Sequence, residues 1–324
     1  MQNEFEQANV IMGLELKIGT RGSQLALEQA KKVADALYER FPEVNLSLVK
    51  IKTTGDKILD VPLSRIGGKG LFVKEIEEAL LEGLIDLAVH SAKDVPIEIP
   101  HGLALEAFPP REDPRDVLVS QDGRTFWELP FQARVGTSSL RRRAQLLYNR
   151  PDLEIVPLRG NLDTRLRKLK SESLDAIVVA AAGILRLGLE DHITEYLPED
   201  ILLPAIGQGA LGIEIRANDS IVADVVRVLD HPETHQAVAA ERAFLRRLGG
   251  GCQVPIAAHG KVSNGRLSIT GIVVSPDGKE MVRDSLEGGV TQAEKLGINL
   301  AHRILALGGD RILREVFRHW RLKI

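Results

Sequence analysis

Residues 14–37 read LELKIGTRGSQLALEQAKKVADAL, and their two periodicities set the fold class. LELKIGT (14–20) alternates apolar and polar positions, as a half-buried strand does. Ala26, Ala30, Val33 and Leu37 then recur four, three and four residues apart, which is one face of a helix starting near Ser23. Farther on, LSLVKI (46–51) predicts a second strand and FVKEIEEALLEG (72–83) a helix that closes on a glycine. IDLAVH (85–90) is an apolar run suited to a buried strand. This β-α-β-α-β order predicts an α/β domain with a largely parallel sheet.

The rhythm begins again after FPPREDPRD (108–116), whose prolines and charges read as a domain junction. ARVGTSSLRRRAQLL, LEIVPLRGNLDTRLRKL and DAIVVAAAGILRLGL each repeat strand, turn and helix. LPAIGQGALGIEIRA (203–217) reads as a crossing segment and a further strand. From about residue 231 the character changes. HPETHQAVAAERAFLRRL is a helix with Ala237, Ala240, Phe244 and Leu248 apolar. Short strands AAHGKV and RLSITGIVVS follow, with turns at Asn264-Gly265 and Pro276-Asp277-Gly278, and two long helices end the sequence. The expected domains are 14–110 (plus about 210–228), 111–209 and a small α+β domain over 229–324, after an N-terminal extension, 1–13, expected to be disordered.

Composition narrows the function. The 324 residues carry a formal charge of −3, against the basic balance of a general nucleic-acid binder. A single cysteine, Cys252, rules out an intrachain disulfide and fits a reducing compartment. MQNEFEQANVIMG (1–13) has neither the charge pattern nor the apolar core of a signal peptide. No apolar run reaches the roughly 18 residues of a membrane span. We therefore expect a cytoplasmic protein. Its arginines are nevertheless concentrated: Arg141, Arg142 and Arg143 are consecutive, and Arg159, Arg165 and Arg167 follow. A near-neutral chain with dense guanidinium points to a discrete anionic ligand, although a charge run is more often a solvated helix face.

Several stretches place chemistry where α/β sheets bind ligands, just beyond the carboxyl ends of strands. AVHSAKDVP (88–96) puts Ser91, Lys93 and Asp94 there. By themselves they also read as a helix cap and a surface lysine. Lys93 would keep the Asp94 carboxylate ionised. VGTSSLRRR (135–143) sets Thr137, Ser138 and Ser139 at a strand-to-helix turn, where backbone N–H groups and the helix dipole favour an anion. Arg141 and Arg142 add guanidinium forks. LRGNLDTRL (158–166) repeats the arrangement with Arg159 and Arg165, and TRGSQLA (20–26) with Thr20, Arg21 and Ser23. Any one of these is weak, since Ser and Thr are common N-caps; three together predict a polyanion held in a cleft between two domains. IGGKGLFVKE (66–75) adds Lys69 in a glycine-rich loop, a candidate lid, and PAIGQGALG (204–212) offers Gln208 between glycines. No phosphate loop or GxGxxG pattern is present, which disfavours ATP and NAD. His231 and His235 lack companion ligands, so no metal is expected, and His90 at a strand end reads as a packed histidine.

Taken in order, TRGSQLALEQA, GGKGLFVKE, DLAVHSAKDVP, REDPRD, VGTSSLRRRAQL, LRGNLDTRL, LPAIGQGALGIE, ERAFLRRL and GGGCQVP (249–255) resemble the porphobilinogen deaminase (hydroxymethylbilane synthase) family from about residue 15 to about residue 315. The resemblance implies two periplasmic-binding-protein type II-like α/β domains plus a small C-terminal α+β domain. It implies a transferase of tetrapyrrole biosynthesis, monomeric, that deaminates four porphobilinogen molecules and joins them head to tail on a dipyrromethane cofactor bound to Cys252 as a thioether. The glycines of GGGCQVP would clear space around that sulfur. Asp94 takes the position of the family's catalytic carboxylate. Lys93, Thr137, Ser138, Ser139, Arg141 and Arg142 would bind the cofactor. Arg21, Ser23, Lys69, Phe72, Arg159, Arg165, Arg186 and Gln208 would bind substrate and growing chain. Guanidinium suits the acetate and propionate on each pyrrole. Arg65 stands where many relatives have lysine, and Gly249 makes a three-glycine run where they often have an acidic residue.

Two other readings compete. A non-catalytic anionic-ligand module of the periplasmic-binding-protein fold would account for the two α/β halves but not for Cys252 or the third domain. A cysteine-nucleophile acyl transferase would want a histidine base near GGGCQVP, and the sequence offers none there. The intact mass of freshly purified protein decides between them: we expect an adduct of two pyrrole units on the wild type and none on Cys252→Ala.

Overall fold

The computed structural model describes residues 13–57, 70, 72–250 and 254–321, with side chains as far as residue 318. Two compact units emerge. One takes the described chain up to Arg111 and again from Ala210 to His235; the other takes Glu112–Gly209 and the chain from Gln236 onward.

In the first unit, β1 (Glu15–Arg21), β2 (Asn45–Ile51), β3 (Leu87–Ser91), β4 (Leu103–Ala107) and β10 (Leu211–Arg216) form a sheet in the order β2-β1-β3-β10-β4. β1 runs parallel to β2 and β3, and β10 is antiparallel to both neighbours. Helix α1 (Gln24–Arg40) starts at Ser23, whose hydroxyl accepts the Ala26 N–H. Its predicted stripe Ala26, Ala30, Val33 and Leu37 is buried. Helix α2 (Lys74–Leu81) buries Ile76 and Leu80, and Gly83 beyond it takes φ 72°, the left-handed conformation that favours glycine after a helix.

The second unit repeats the design. β5 (Asp116–Ser120), β6 (Arg134–Gly136), β7 (Glu154–Val156), β8 (Ala176–Ala180) and β9 (Glu195–Leu197) pair in the order β7-β6-β8-β5-β9, again with one strand, β5, antiparallel to both neighbours. Helices α3 (Leu140–Asn149), α4 (Leu162–Ser171) and α5 (Ala181–Arg186) connect the parallel strands. In each sheet the antiparallel strand is the one that follows a passage of the chain from the other unit. This is the pair of binding-protein-like α/β sheets that the resemblance implies. LPAIGQGALGIEIRA delivers its strand to the first sheet, and α6 (Ser220–Arg227) packs beneath it.

Beyond α7 (Pro232–Arg247), β11 (Ile256–Ser263), β12 (Arg266–Val274) and β13 (Met281–Gly289) form an antiparallel meander. Its first turn is Asn264-Gly265, both at positive φ. α8 (Ala293–Ile304) and α9 (Asp310–Arg321) follow, with a kink between them at Gly308. The patterns did not predict four of the strands. β4 and β5 flank the proline-rich junction, β9 is three residues long, and β13 is polar enough to pass for a loop. At Gly297 a Cβ would lie 2.1 Å from the Ala240 carbonyl oxygen, so α8 meets α7 backbone to backbone. Gly297→Ala is therefore expected to destabilise the protein by about 1–3 kcal/mol, or more if the helices cannot part; urea unfolding measures it.

Candidate active site

In the first unit, β3 ends in His90 and Ser91 and passes into a short 3₁₀ turn, Ala92–Asp94. That turn brings Asp94 to the surface beside a cavity lined by Arg21, Ala26, Gln29, Phe72, Val73, Ile76, Val89, His90, Ser91 and Asp94. The Arg21 guanidinium lies over the Phe72 ring, 4.3 Å from its centroid, a cation–π contact that fixes both side chains in the wall. Gln29 Nε2 lies 3.0 Å from Ser91 Oγ. Thr20, read with Arg21 and Ser23 as part of an anion site, instead buries its hydroxyl, which donates to the Ala26 carbonyl. Ser23 serves as the N-cap of α1.

In the second unit, the turn VGTSSLRRR is built around a carboxylate that the candidate set did not contain. Asp116, the first residue of β5, is fully buried. Arg141 Nη1 lies 2.8 Å from its Oδ2 and Arg142 Nη2 2.7 Å from its Oδ1. Burial by itself would raise the Asp116 pKa. The two guanidiniums reverse that and leave it at about 2. Arg141 also donates to the Leu203 carbonyl and Arg142 to that of Val178. Gln208 donates from Nε2 to the Pro114 carbonyl and to Asp116 Oδ1. The runs of arginine and the GQG loop are thus first of all a scaffold. Asp116 was present in the quoted REDPRD, and the excess of buried-type arginines was the signal that a buried acid must answer them. Ser139 caps α3, accepting the Arg142 N–H, and Thr137 accepts the Ser139 N–H; Ser138 is the exposed member of the three.

The same unit carries the other arginines. Arg186, at the end of α5 and 9% exposed, donates to the Gly209 carbonyl at 2.6 Å. Its pKa is lowered by burial, with Glu112 opposing. Burial also lowers that of Arg159. Arg165 donates to the Gly160 carbonyl. Glu241 of α7 is fully buried; its two oxygens accept the N–H groups of Gly207 and Gly260, which ties the Gln208 loop to β11. The sequence reading passed over Glu241 within ERAFLRRL.

Lys69, Cys252 and Arg65 lie outside the described residues, as does the segment 1–12. Among the described residues no group of His, Cys, Asp and Glu is arranged to hold a metal ion. The donor set fits a dipyrromethane. Desolvation already penalises the charges of Arg159 and Arg186, and an anionic ligand beside them would offset that cost. The Asp116 cluster, two cations on one anion, keeps a surplus positive charge.

Family models match most of the chain. "Porphobilinogen deaminase, dipyromethane cofactor binding domain" covers residues 16–224, and "Porphobilinogen deaminase, C-terminal domain" covers 235–306. A protein of Geobacter sulfurreducens named porphobilinogen deaminase is 59% identical over 303 residues, 94% of this chain and 95% of the relative. One from Pelobacter propionicus with the same name is 58% identical over 304 residues, 94% of this chain and 98% of the relative. Among solved structures, the VFT2 domain of Bordetella pertussis BvgS matches 70% of this chain and 89% of its own, at 12% identity and a TM-score of 0.41.

Asp116→Asn would leave two buried guanidiniums on a neutral partner, and we expect a loss of about 3–5 kcal/mol in denaturant unfolding. The folded pKa of about 2 lies below the ordinary 3.8. The carboxylate's contribution is therefore complete above the ordinary value and disappears as the pH falls through about 2. The gap between wild type and variant should close over that window.

Proposed function

The chain belongs to the porphobilinogen deaminase family, and from that membership we propose its reaction. It removes ammonia from porphobilinogen and joins four such units head to tail on a dipyrromethane held by Cys252, releasing hydroxymethylbilane. The observation that carries this reading is the family match over residues 16–224 and 235–306, both α/β sheets and the third sheet included.

When bound, the dipyrromethane supplies the pyrrole end to which substrate units are added. The chain's own residues do the rest. Asp94, exposed in the wall of the cavity beyond β3, faces positive charge as ammonia departs from the substrate. A carboxylate placed where that charge develops stabilises it electrostatically. It can also hold the transferred proton on an Oδ atom. Arg21 and Phe72, stacked on each other, form one wall: the guanidinium for a carboxylate side chain, the ring for a pyrrole face. Lys93 and Ser23 assist on the same unit. On the second unit, Arg159, Arg165 and Arg186 bind acetate and propionate groups, and Ser138 and Ser139 present hydroxyl and backbone N–H groups at the start of α3. Thr137, Arg141, Arg142 and Gln208 act chiefly through the Asp116 cluster, which holds that turn in shape and keeps it positive. Lys69 binds a further carboxylate.

We also propose a monomer working in the cytoplasm, without a nucleic-acid or membrane partner. In support, the chain is slightly acidic, and no described helix is long and apolar enough to cross a membrane.

Asp94→Asn tests the assignment. It preserves shape and removes the charge. Ammonia release should fall by about 10²-fold or more, while the covalent adduct stays visible by mass. Near-normal turnover with the adduct in place would remove Asp94 from the mechanism.

A further inference from the structure

Behind the cavity, the first unit buries three titratable side chains that the mechanism so far leaves unused. His90, 5% exposed, stands on β3 next to Ser91 and forms part of the cavity wall with Asp94. Its Nε2 lies 3.0 Å from Oε2 of Glu214, which is fully buried on β10. β10 runs antiparallel to β3, pairing Gly212 with His90 and Glu214 with Ala88, so the histidine and the glutamate are diagonal neighbours on one face of the sheet. From α2 comes Glu77, 7% exposed. Oε1 of Glu77 and Oε1 of Glu214 are buried and have no hydrogen-bond partner among the described residues.

A carboxylate in this position is a poor way to fill a core. Burying it costs several kcal/mol, and apolar side chains of the same size would pack as well or better. What it does provide is orientation. With Nε2–H donated to Glu214, the imidazole is held as the tautomer whose free lone pair is on Nδ1. No hydrogen bond of Nδ1 occurs among the described residues. Burial, then the charge of Glu214, raise the pKa of Glu77, while His90 lowers it, and it stands at about 7. The charged groups around the imidazole are Glu214 from β10 and Glu77 from α2, with Arg21 from the end of β1 and Asp94 beyond β3 lining the same cavity.

We propose that His90, held by Glu214, is a proton-relay residue of this site and acts through Asp94. It rests on the reaction proposed above. The imidazolium gives its Nδ1 proton to Asp94, across the open cavity by way of water. Asp94 passes it to the aminomethyl nitrogen of porphobilinogen. The C–N bond breaks with its electron pair on nitrogen, ammonia leaves, and His90 regains a proton from solvent. Atoms and charge balance without any further reactant.

The test compares wild type, His90→Gln and Glu214→Gln. Ammonia release is measured from about pH 5 to about pH 9, the range that brackets histidine titration, with intact mass and melting temperature recorded for each protein. His90→Gln is expected to keep the covalent adduct and the melting temperature, to lower kcat by about 10²-fold with little change in KM, and to flatten the near-neutral limb of the kcat profile. Glu214→Gln keeps an acceptor for Nε2–H but removes a carboxylate 3.0 Å from the ring, and loss of that negative charge should move the same limb to lower pH. An unmoved limb in both variants, or a fall in kcat that tracks a fall in melting temperature, would reduce the pair to a structural role and overturn the relay. If His90→Gln does not fold, the limb of Glu214→Gln decides. A wild type that releases no ammonia from porphobilinogen would overturn the proposed reaction, and the relay with it; an active wild type with unmoved limbs sinks the relay alone.

Discussion

The second unit is organised around one buried charge. Asp116 opens β5 with no exposure to solvent, and a lone carboxylate there would cost several kcal/mol. Arg141 and Arg142 from α3 neutralise it, and the hydrogen bonds they have left reach the carbonyls of Val178 on β8 and Leu203. Gln208 closes the same carboxylate from the GQG loop. Strand, helix, neighbouring strand and loop are thereby fixed to one point. The position of the strand-to-helix turn at Thr137–Ser139 follows from it.

The first unit solves a similar problem differently. It buries carboxylates with too few partners rather than too many cations. Glu214 has His90 on one oxygen and no described partner on the other, and the Glu77 pKa is raised to about 7, first by burial and then by the charge of Glu214. The arginine-rich arrangement stores positive charge.

The C-terminal part joins its unit through an apolar cluster of Ala144 and Leu203 with Ala257, Ile272 and Val274, and it is itself held together by close backbone contact. Gly297 lets α8 approach the Ala240 carbonyl on α7, and Glu241 on the same helix gathers the N–H groups of Gly207 and Gly260. A helix packed against the third sheet therefore also anchors the loop that carries Gln208.

What the sequence determined by itself was what periodicity and local chemistry encode. The alternation of LELKIGT, the stripe Ala26–Ala30–Val33–Leu37 and the Ser23 cap are local, and each appears where it was predicted. The ordered motifs identified the family, and with it Asp94 as the exposed acid beyond β3. Pairing between distant residues was left to the tertiary structure. Strands β4 and β5 flank prolines that read as a junction, and their place in a sheet depends on partners more than 50 residues away. In the sequence, Arg141 and Arg142 show their charge but not their partner. Only folding brings Asp116 to them. In the same way, His90 read as a packed histidine and is buried as one, but its partner Glu214 was not legible, because nothing in residues 88–96 records a carboxylate 124 positions away.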